Sequence, residues 1–200
     1  MFFYLTGLST GVDRIYSKAV EFGFSQKTGI DLPEEKKGLL PSREWKKKNK
    51  GQGWYDGDTA NLAIGQGYLQ VTPLQALVMA GVVATGGDRL VPHVIDKIDG
   101  VKVTERHGFK VPITRESRVA VKKGLDAVVN TETGTGRLAR YPGLRVAGKT
   151  GTAQSGQAED HAWFVGYAPA EGPKIAMVVF IENGGHGGVA AGSVAHSIWG

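Results

Sequence analysis

Three strand-like stretches in the last third of the chain constrain its fold more than any other feature. Residues 144–154, 162–168 and 175–181 each have the length and composition of a β-strand, and only short segments separate them. The third stretch is a continuous run of Ile, Ala, Met, Val, Val, Phe and Ile, which suits the interior of a sheet. Strands with such short connections, following a run of helices, predict an α+β fold with an antiparallel sheet.

Helical patterns precede this sheet. The first is a set of apolar residues at helical spacing, with Gly23 placed to end the helix: Val12, Ile15, Tyr16, Ala19 and Val20. A second helix should begin at Pro73, because Thr72 and Gln75 have the spacing of a capping box, and it should run to about residue 84. We expect residues 25–59 between these helices to be rich in loops.

Two further helices are predicted around the strands. Thr114 can cap a helix through residue 129, with an apolar stripe formed by Val121, Leu125 and Val128. Residues 189–199 form an apolar stretch after a glycine-rich turn, which indicates a helix at the end of the chain. Residues 91–103 should form short strands around an Asp99-Gly100 turn. With neither a repeat nor a low-complexity linker, residues 1–200 are predicted to form one structural unit, an antiparallel sheet with flanking helices.

Composition excludes several classes of function. The chain of 200 residues contains no cysteine, which excludes a disulfide framework, thiol catalysis and Cys-ligated zinc. Its five histidines never fall at metal-ligand spacing, so we expect no metal and no cofactor. The net charge of +5 comes mainly from residues 34–50, which carry six Lys, one Arg and three Glu. We interpret this basic run, including Lys46 to Lys50, as a solvated loop. A phosphate-binding or nucleic-acid-binding patch is the alternative.

The segment Lys149-Thr150-Gly151-Thr152 is the strongest candidate for chemistry. It lies on a predicted strand, where Thr150 and Thr152 share one face while Lys149 and Gly151 take the other. K-T-G is among the signatures of penicillin-binding proteins and β-lactamases. Three residues are a weak motif, and Lys27-Thr28-Gly29 repeats them in a predicted loop that ends in proline. We predict that this earlier copy is a turn with no catalytic role.

Longer segments around the Lys149 copy carry a resemblance to a known family. Residues 60–67 (ANLAIGQG) followed by residues 71–75 (VTPLQ) resemble the stretch between the second and third motifs of monofunctional penicillin-binding proteins. Residues 22–33, residues 161–169 (HAWFVGYAP) and the turn at residues 182–185 (ENGG) are similar to the same family. The resemblance covers essentially the whole chain and is strongest to the elongation-type transpeptidases of the penicillin-binding protein 2 family.

The resemblance implies a peptidoglycan D,D-transpeptidase fold, substrate and site. The threonine hydroxyls would bind the carboxylate of a D-Ala-D-Ala stem peptide, or of a β-lactam that mimics it. Lys149 would supply positive charge, Gly151 would leave room for the ligand backbone, and the Thr152 N–H would be one oxyanion-hole donor. The parent protein would sit at the bacterial inner membrane, facing the periplasm, and would work with a glycosyltransferase of the elongation machinery, not with nucleic acid.

The motifs that carry the family's nucleophile are missing from this sequence. No Ser has Lys three residues later, and no S-x-N triplet occurs. In the family the second motif lies just before an aromatic run that resembles Phe2-Phe3-Tyr4, so we expect the nucleophile and second motif to lie upstream of Met1. The chain would then be the C-terminal portion of a transpeptidase domain, inactive by itself. The alternatives are a non-catalytic module that binds a peptide or partner and a basic nucleic-acid-binding protein.

Overall fold

The computed structural model describes residues 1–103, 107–154, 156 and 159–200, and only the backbone of His107. The helices are α1 Phe2–Thr10, α2 Val12–Glu21, α3 Arg43–Lys50, α4 Asp56–Ala63, α5 Pro73–Thr85, α6 Arg115–Asn130 and α7 Ala190–Trp199. The strands are β1 Asp88–Leu90, β2 Lys97–Ile98, β3 Val101–Lys102, β4 His107–Lys110, β5 Ala147–Ala153, β6 His161–Ala168 and β7 Ile175–Ile181. The predicted α+β class is confirmed.

The last three strands form the central sheet. Their order is β5-β6-β7, and both pairs are antiparallel. The predicted first strand is shorter than expected at its N-terminal end, because Leu144 pairs with Tyr141 in an isolated bridge and the regular ladder starts at Ala147. Strand β6 is paired on both sides, so β5 lies at an edge of the sheet. In this three-stranded sheet, the side of β5 that faces away from β6 has no neighbouring strand, so other parts of the molecule or a ligand can contact it.

One face of the sheet is covered by the later helices. Phe164 and Val146 are fully buried in a core with Val129 of α6 and Ala191 of α7. In the predicted apolar stripe on α6, Val128 packs against this core and Leu125 against Ala147 and Tyr167. Val121 is exposed, so the stripe is shorter than predicted. The cap was predicted correctly, since the Thr114 hydroxyl accepts from the N–H of Ser117 at 3.2 Å.

Helix α5 has the predicted capping box. The Thr72 hydroxyl accepts from the Gln75 N–H at 3.2 Å, and the Gln75 side chain accepts from the Thr72 N–H at 3.0 Å. The helix ends at Gly86, whose φ of 82° is a left-handed conformation that glycine adopts without steric cost. Gln75 is almost fully buried and also donates to the carbonyls of Gln26 and Lys37. It thus ties the loop before α3 to the start of α5.

The basic run differs from its predicted form. Ser42 caps helix α3 by accepting from the Trp45 N–H, and Gly51 ends it in a left-handed conformation. Lys46 is buried, with its ammonium 2.5 Å from a carboxylate oxygen of Asp58 and 4.5 Å from the centre of the Tyr55 ring. The expectation of a solvated loop is therefore wrong in its secondary structure and wrong for Lys46. The other three lysines of the helix are exposed.

The prediction of short strands at residues 91–103 holds around the Asp99-Gly100 turn, but residues 91–96 are not in a strand. Strands β1 and β4, which pair with each other, lie outside that range. Strands β2 and β3 pair across Asp99 and Gly100, both of which have positive φ, as a tight hairpin turn requires. Among the described residues, no helix is both long and apolar enough to span a bilayer.

Candidate functional site

Strand β5 forms one wall of a groove with a volume of about 430 Å³. The wall consists of Lys149, Thr150, Gly151, Thr152 and Ala153, followed on the neighbouring strand by Trp163 and Val165. The opposite wall is largely apolar and comes from α2, α4, α5 and the segments between them: Ile15, Ala19, Phe24, Leu40, Leu62, Ile64, Gly65, Gln66, Leu69, Val71, Ala76 and Met79. The four residues predicted from the sequence are thus together on a groove wall at an edge of the sheet.

Lys149 is the cation of this wall. Its ammonium donates to the carbonyl of Thr150 at 2.5 Å. The residue as a whole is exposed, but protein atoms around the ammonium displace part of its hydration, and this burial lowers the pKa of Lys149 below the ordinary lysine value. A partly desolvated ammonium at a groove wall attracts an anionic ligand more strongly than a fully hydrated one.

Thr150 has little exposed surface. The residue is only 8% exposed, and its hydroxyl lies 2.9 Å from the hydroxyl of Thr135. Thr135 belongs to the Thr-Gly-Thr-Gly turn at residues 133–136, between α6 and a short 3-10 helix, Arg137–Ala139. Its contact with the site spans fifteen residues, and no motif spacing indicated it.

Thr152 is held from two sides. Its hydroxyl accepts from the N–H of Gly187 at 3.2 Å, and its carbonyl accepts from the Gln66 side-chain amide at 3.3 Å. A Cβ at Gly187 would lie 2.0 Å from the carbonyl oxygen of Gly151, so only glycine lets the turn after β7 approach the strand this closely. Gln66 and Gly187 are further site residues that sequence reasoning missed. The glycine-rich composition of residues 184–188 was the one available indication of a close backbone approach.

The second K-T-G copy is structural. Thr28 is buried, and its hydroxyl and N–H both donate to the carboxylate of Glu35, at 2.5 and 2.6 Å. Burial raises the pKa of Glu35, but the bonds from Thr28 and Gly29 outweigh it, so that the pKa is lowered overall. None of these residues lines the groove beside β5. The prediction of a loop without a site role agrees with this geometry.

The groove wall carries groups that can bind an anion. It combines an ammonium, two hydroxyls and the backbone of an edge strand, which together suit a carboxylate and the oxyanion of an acyl-transfer reaction. No serine, histidine or acidic side chain is among the described residues of its walls. The described part of the chain also contains no cluster of His, Asp and Glu that could hold a metal ion.

Known proteins with similar sequences are transpeptidases. A family model for the penicillin binding protein transpeptidase domain matches residues 1–200. The peptidoglycan D,D-transpeptidase MrdA of Acinetobacter baumannii is 39% identical over 210 residues, which cover 95% of this chain and 31% of that protein. MrdA of Haemophilus influenzae is 35% identical over 218 residues, covering 98% of this chain and 34% of that protein. The chain spans about a third of the length of these relatives.

Solved structures show the same architecture. Pseudomonas aeruginosa PBP2, crystallised with WCK 5153, superposes with a TM-score of 0.89 at 39% identity, over 99% of this chain and 45% of that one. PBP2 from Helicobacter pylori superposes with a TM-score of 0.84 at 33% identity, over 99% of this chain and 37% of that one. The resemblance inferred from the sequence is thereby confirmed. The chain belongs to the penicillin-binding protein transpeptidase family, with PBP2 proteins among its relatives.

Proposed function

We propose that this chain supplies the carboxylate-binding strand and part of the oxyanion hole of a peptidoglycan D,D-transpeptidase. The observation that carries the proposal is the placement of Lys149, Thr150 and Thr152 on an edge strand that walls an otherwise apolar groove. Lys149 and the two threonines would bind the terminal carboxylate of a D-Ala-D-Ala stem peptide, or the carboxylate of a β-lactam. Gly151 keeps the strand free of a side chain where the ligand backbone would lie.

The reaction would be an acyl transfer in two steps. A serine outside residues 1–200 would attack the carbonyl of the penultimate D-Ala, giving its proton to a base and forming an acyl-enzyme as the terminal D-Ala leaves. An amine of a neighbouring stem peptide would then attack the ester, which frees the serine and forms the cross-link. The Thr152 N–H would stabilise the oxyanion in both steps.

The proposed setting is that of the whole relatives. Residues 1–200 would be the C-terminal portion of the transpeptidase domain of a longer protein at the bacterial inner membrane, facing the periplasm. One similar structure, from Helicobacter pylori, is a complex of PBP2 with MreC, and another concerns coordination of polymerization and crosslinking by a peptidoglycan synthase complex. We infer a corresponding partnership here with a glycosyltransferase of the elongation machinery, and none with nucleic acid.

A non-catalytic module that binds a peptide or a partner is the second candidate. The observation that favours it is the described groove lining, which offers no serine beside a lysine. Both candidates use the same strand, and they differ in whether a covalent adduct forms.

Labelling with a fluorescent penicillin separates the two candidates. We expect intact-mass spectrometry to show one penicilloyl group on the full-length protein and none on residues 1–200 alone. An adduct on any serine of this chain would contradict the upstream nucleophile. A full-length protein that stays unlabelled, while a known penicillin-binding protein reacts in the same sample, would favour the non-catalytic module.

A further inference from the structure

The outer edge of β5 presents backbone groups that a ligand could pair with. In an antiparallel ladder, every second residue turns both its N–H and its C=O away from the partner strand. The Thr152 carbonyl accepts from the side chain of Gln66, which lies outside the sheet, so Thr152 and, two residues earlier, Thr150 form the outward-facing set. A peptide that adds to this edge would use the N–H and C=O of Thr152 together.

Both outward carbonyls are already occupied. The ammonium of Lys149 donates to Thr150, and the side-chain amide of Gln66 donates to Thr152 at 3.3 Å. Gln66 lies in the turn after α4, between Gly65 and Gly67, both of which have positive φ. Its own N–H donates to the carbonyl of Asn61 at 2.9 Å, so the backbone of the turn is fixed while the side chain reaches across the groove to β5.

The contact resembles the one that a ligand would make. A carboxamide N–H is the same kind of donor as a peptide N–H, and it occupies the acceptor that an added strand needs. At 3.3 Å it is longer than the usual 2.9–3.0 Å of an N–H···O bond, so it is a weak bond that a better-placed donor can replace. Moving the Gln66 side chain to another rotamer requires no change in the backbone of the turn.

We propose that Gln66 is a specificity-determining residue of this site, which holds the Thr152 carbonyl in the free protein and is displaced by ligands that bring their own N–H donor. The inference rests on the proposed function, since it takes the ligand at the β5 edge to be a stem peptide or a β-lactam. Ligands that lack such a donor leave Gln66 in place and gain nothing from its removal.

The test compares two ligands and two variants of the full-length protein. Gln66→Met removes the donor and keeps the length of the side chain. Gln70→Met is the matched control, because Gln70 is exposed and pairs with Leu39 through its backbone only in the contacts that the structure describes. The ligands are a penicillin with a side-chain amide N–H and a carbapenem, which has no such amide. The measured quantity is the second-order rate constant of acylation.

We expect Gln66→Met to raise the penicillin rate constant about two- to tenfold, the range that one modest hydrogen bond accounts for. The carbapenem rate constant and both rate constants of Gln70→Met should stay at the wild-type values. An unchanged or lower penicillin rate constant in Gln66→Met would overturn the inference, as would an equal change for both ligands. A wild-type protein that neither ligand acylates would instead refute the proposed function.

A second measurement needs no variant. In crystal structures of the unmodified full-length protein with each ligand, the penicillin complex should show the Gln66 amide released from Thr152 and the ligand N–H in its place. The carbapenem complex should keep the contact between Gln66 and Thr152. Retention of that contact in both complexes would contradict the inference even if Gln66→Met failed to fold.

Discussion

The hydroxyl of Thr135 lies 2.9 Å from the hydroxyl of Thr150 and shares a hydrogen bond with it. Thr150 is nearly buried, so Thr135 is the group that fixes the direction of its hydroxyl. In the proposed site, a ligand carboxylate would therefore meet an oriented hydroxyl, and that orientation would depend on a residue from a turn outside the sheet.

Replacing Thr135 should weaken ligand binding at β5, although Thr135 itself belongs to a separate turn. Thr135→Val leaves the Thr150 hydroxyl without this partner, and we expect it to lower the free energy of unfolding by about 1 kcal/mol. It should also slow β-lactam acylation of the full-length protein several-fold. Thr135→Ser, which keeps the hydroxyl, is the control and should behave nearly as wild type. Thermal unfolding and acylation kinetics measure the two effects, and equal acylation rates for Val and Ser would refute a positioning role.

The same Thr→Val substitution should affect binding in one K-T-G copy and stability in the other. Thr150→Val should weaken carboxylate recognition by roughly 1–3 kcal/mol, because it leaves a charged partner without a hydrogen bond. Thr28→Val removes the bond to Glu35 and should reduce stability, with little change in acylation. Acylation rates and thermal unfolding of both variants in the full-length protein provide the comparison. A larger loss of acylation in Thr28→Val would mean that the wrong copy was assigned to the site.

Carboxylate recognition should decline at a lower pH than the ordinary pKa of lysine would predict. Burial lowers the pKa of Lys149, so its ammonium is lost as the pH rises through that reduced value. Lys149→Arg stays charged, and its acylation rate should vary less between about pH 7 and pH 10.

The titration of Lys149 should not itself destabilise the fold over this pH range. Between the lowered pKa of Lys149 in the folded state and its ordinary value in the unfolded state, the unfolded state binds more protons. The contribution of Lys149 to the free energy of unfolding therefore rises with pH over that interval. Thermal unfolding at each pH checks this point, and identical pH profiles for wild type and Lys149→Arg would exclude Lys149 as the titrating group.

The ion pair between Lys46 and Asp58 should be important for stability. Lys46 is 3% exposed, so Asp58→Asn leaves a buried ammonium without its counter-charge and should cost roughly 3–5 kcal/mol. The matched control is Asp13→Asn, which breaks an exposed pair with Arg43 and should cost less than about 1 kcal/mol. Urea unfolding of the variants measures both. Similar losses in the free energy of unfolding of the two variants would show that the buried pair contributes no more to stability than the exposed one.

Local patterns predicted the elements whose structure is determined by neighbouring residues. The capping box of Thr72 and Gln75, the cap at Thr114 and the apolar run of β7 each carry their information within a few positions. The strand bearing Lys149 was predicted for the same reason. Helix α3 was missed because its eight residues are almost all polar, and its burial depends on an ion pair with Asp58, twelve residues away.

The site residues that the sequence did not predict were missed for a different reason. Thr135, Gln66 and Gly187 reach β5 from three separate turns, and their contacts span 15, 86 and 35 residues. No periodicity links such positions, because the contacts exist only once the sheet and the surrounding turns are folded together. The motif could therefore be found from the sequence, whereas the groups that orient and occupy it could not.

Gln75 couples two parts of the molecule that are usually considered separately. The same side chain caps helix α5 and holds the carbonyls of Gln26 and Lys37. Fraying of the first turn of α5 would release the Gln75 contacts to the loop between α2 and α3. The helix turn and this loop should therefore open as one cooperative unit. Their amide protons should then exchange with solvent at a common rate, and a single substitution at Gln75 should accelerate both.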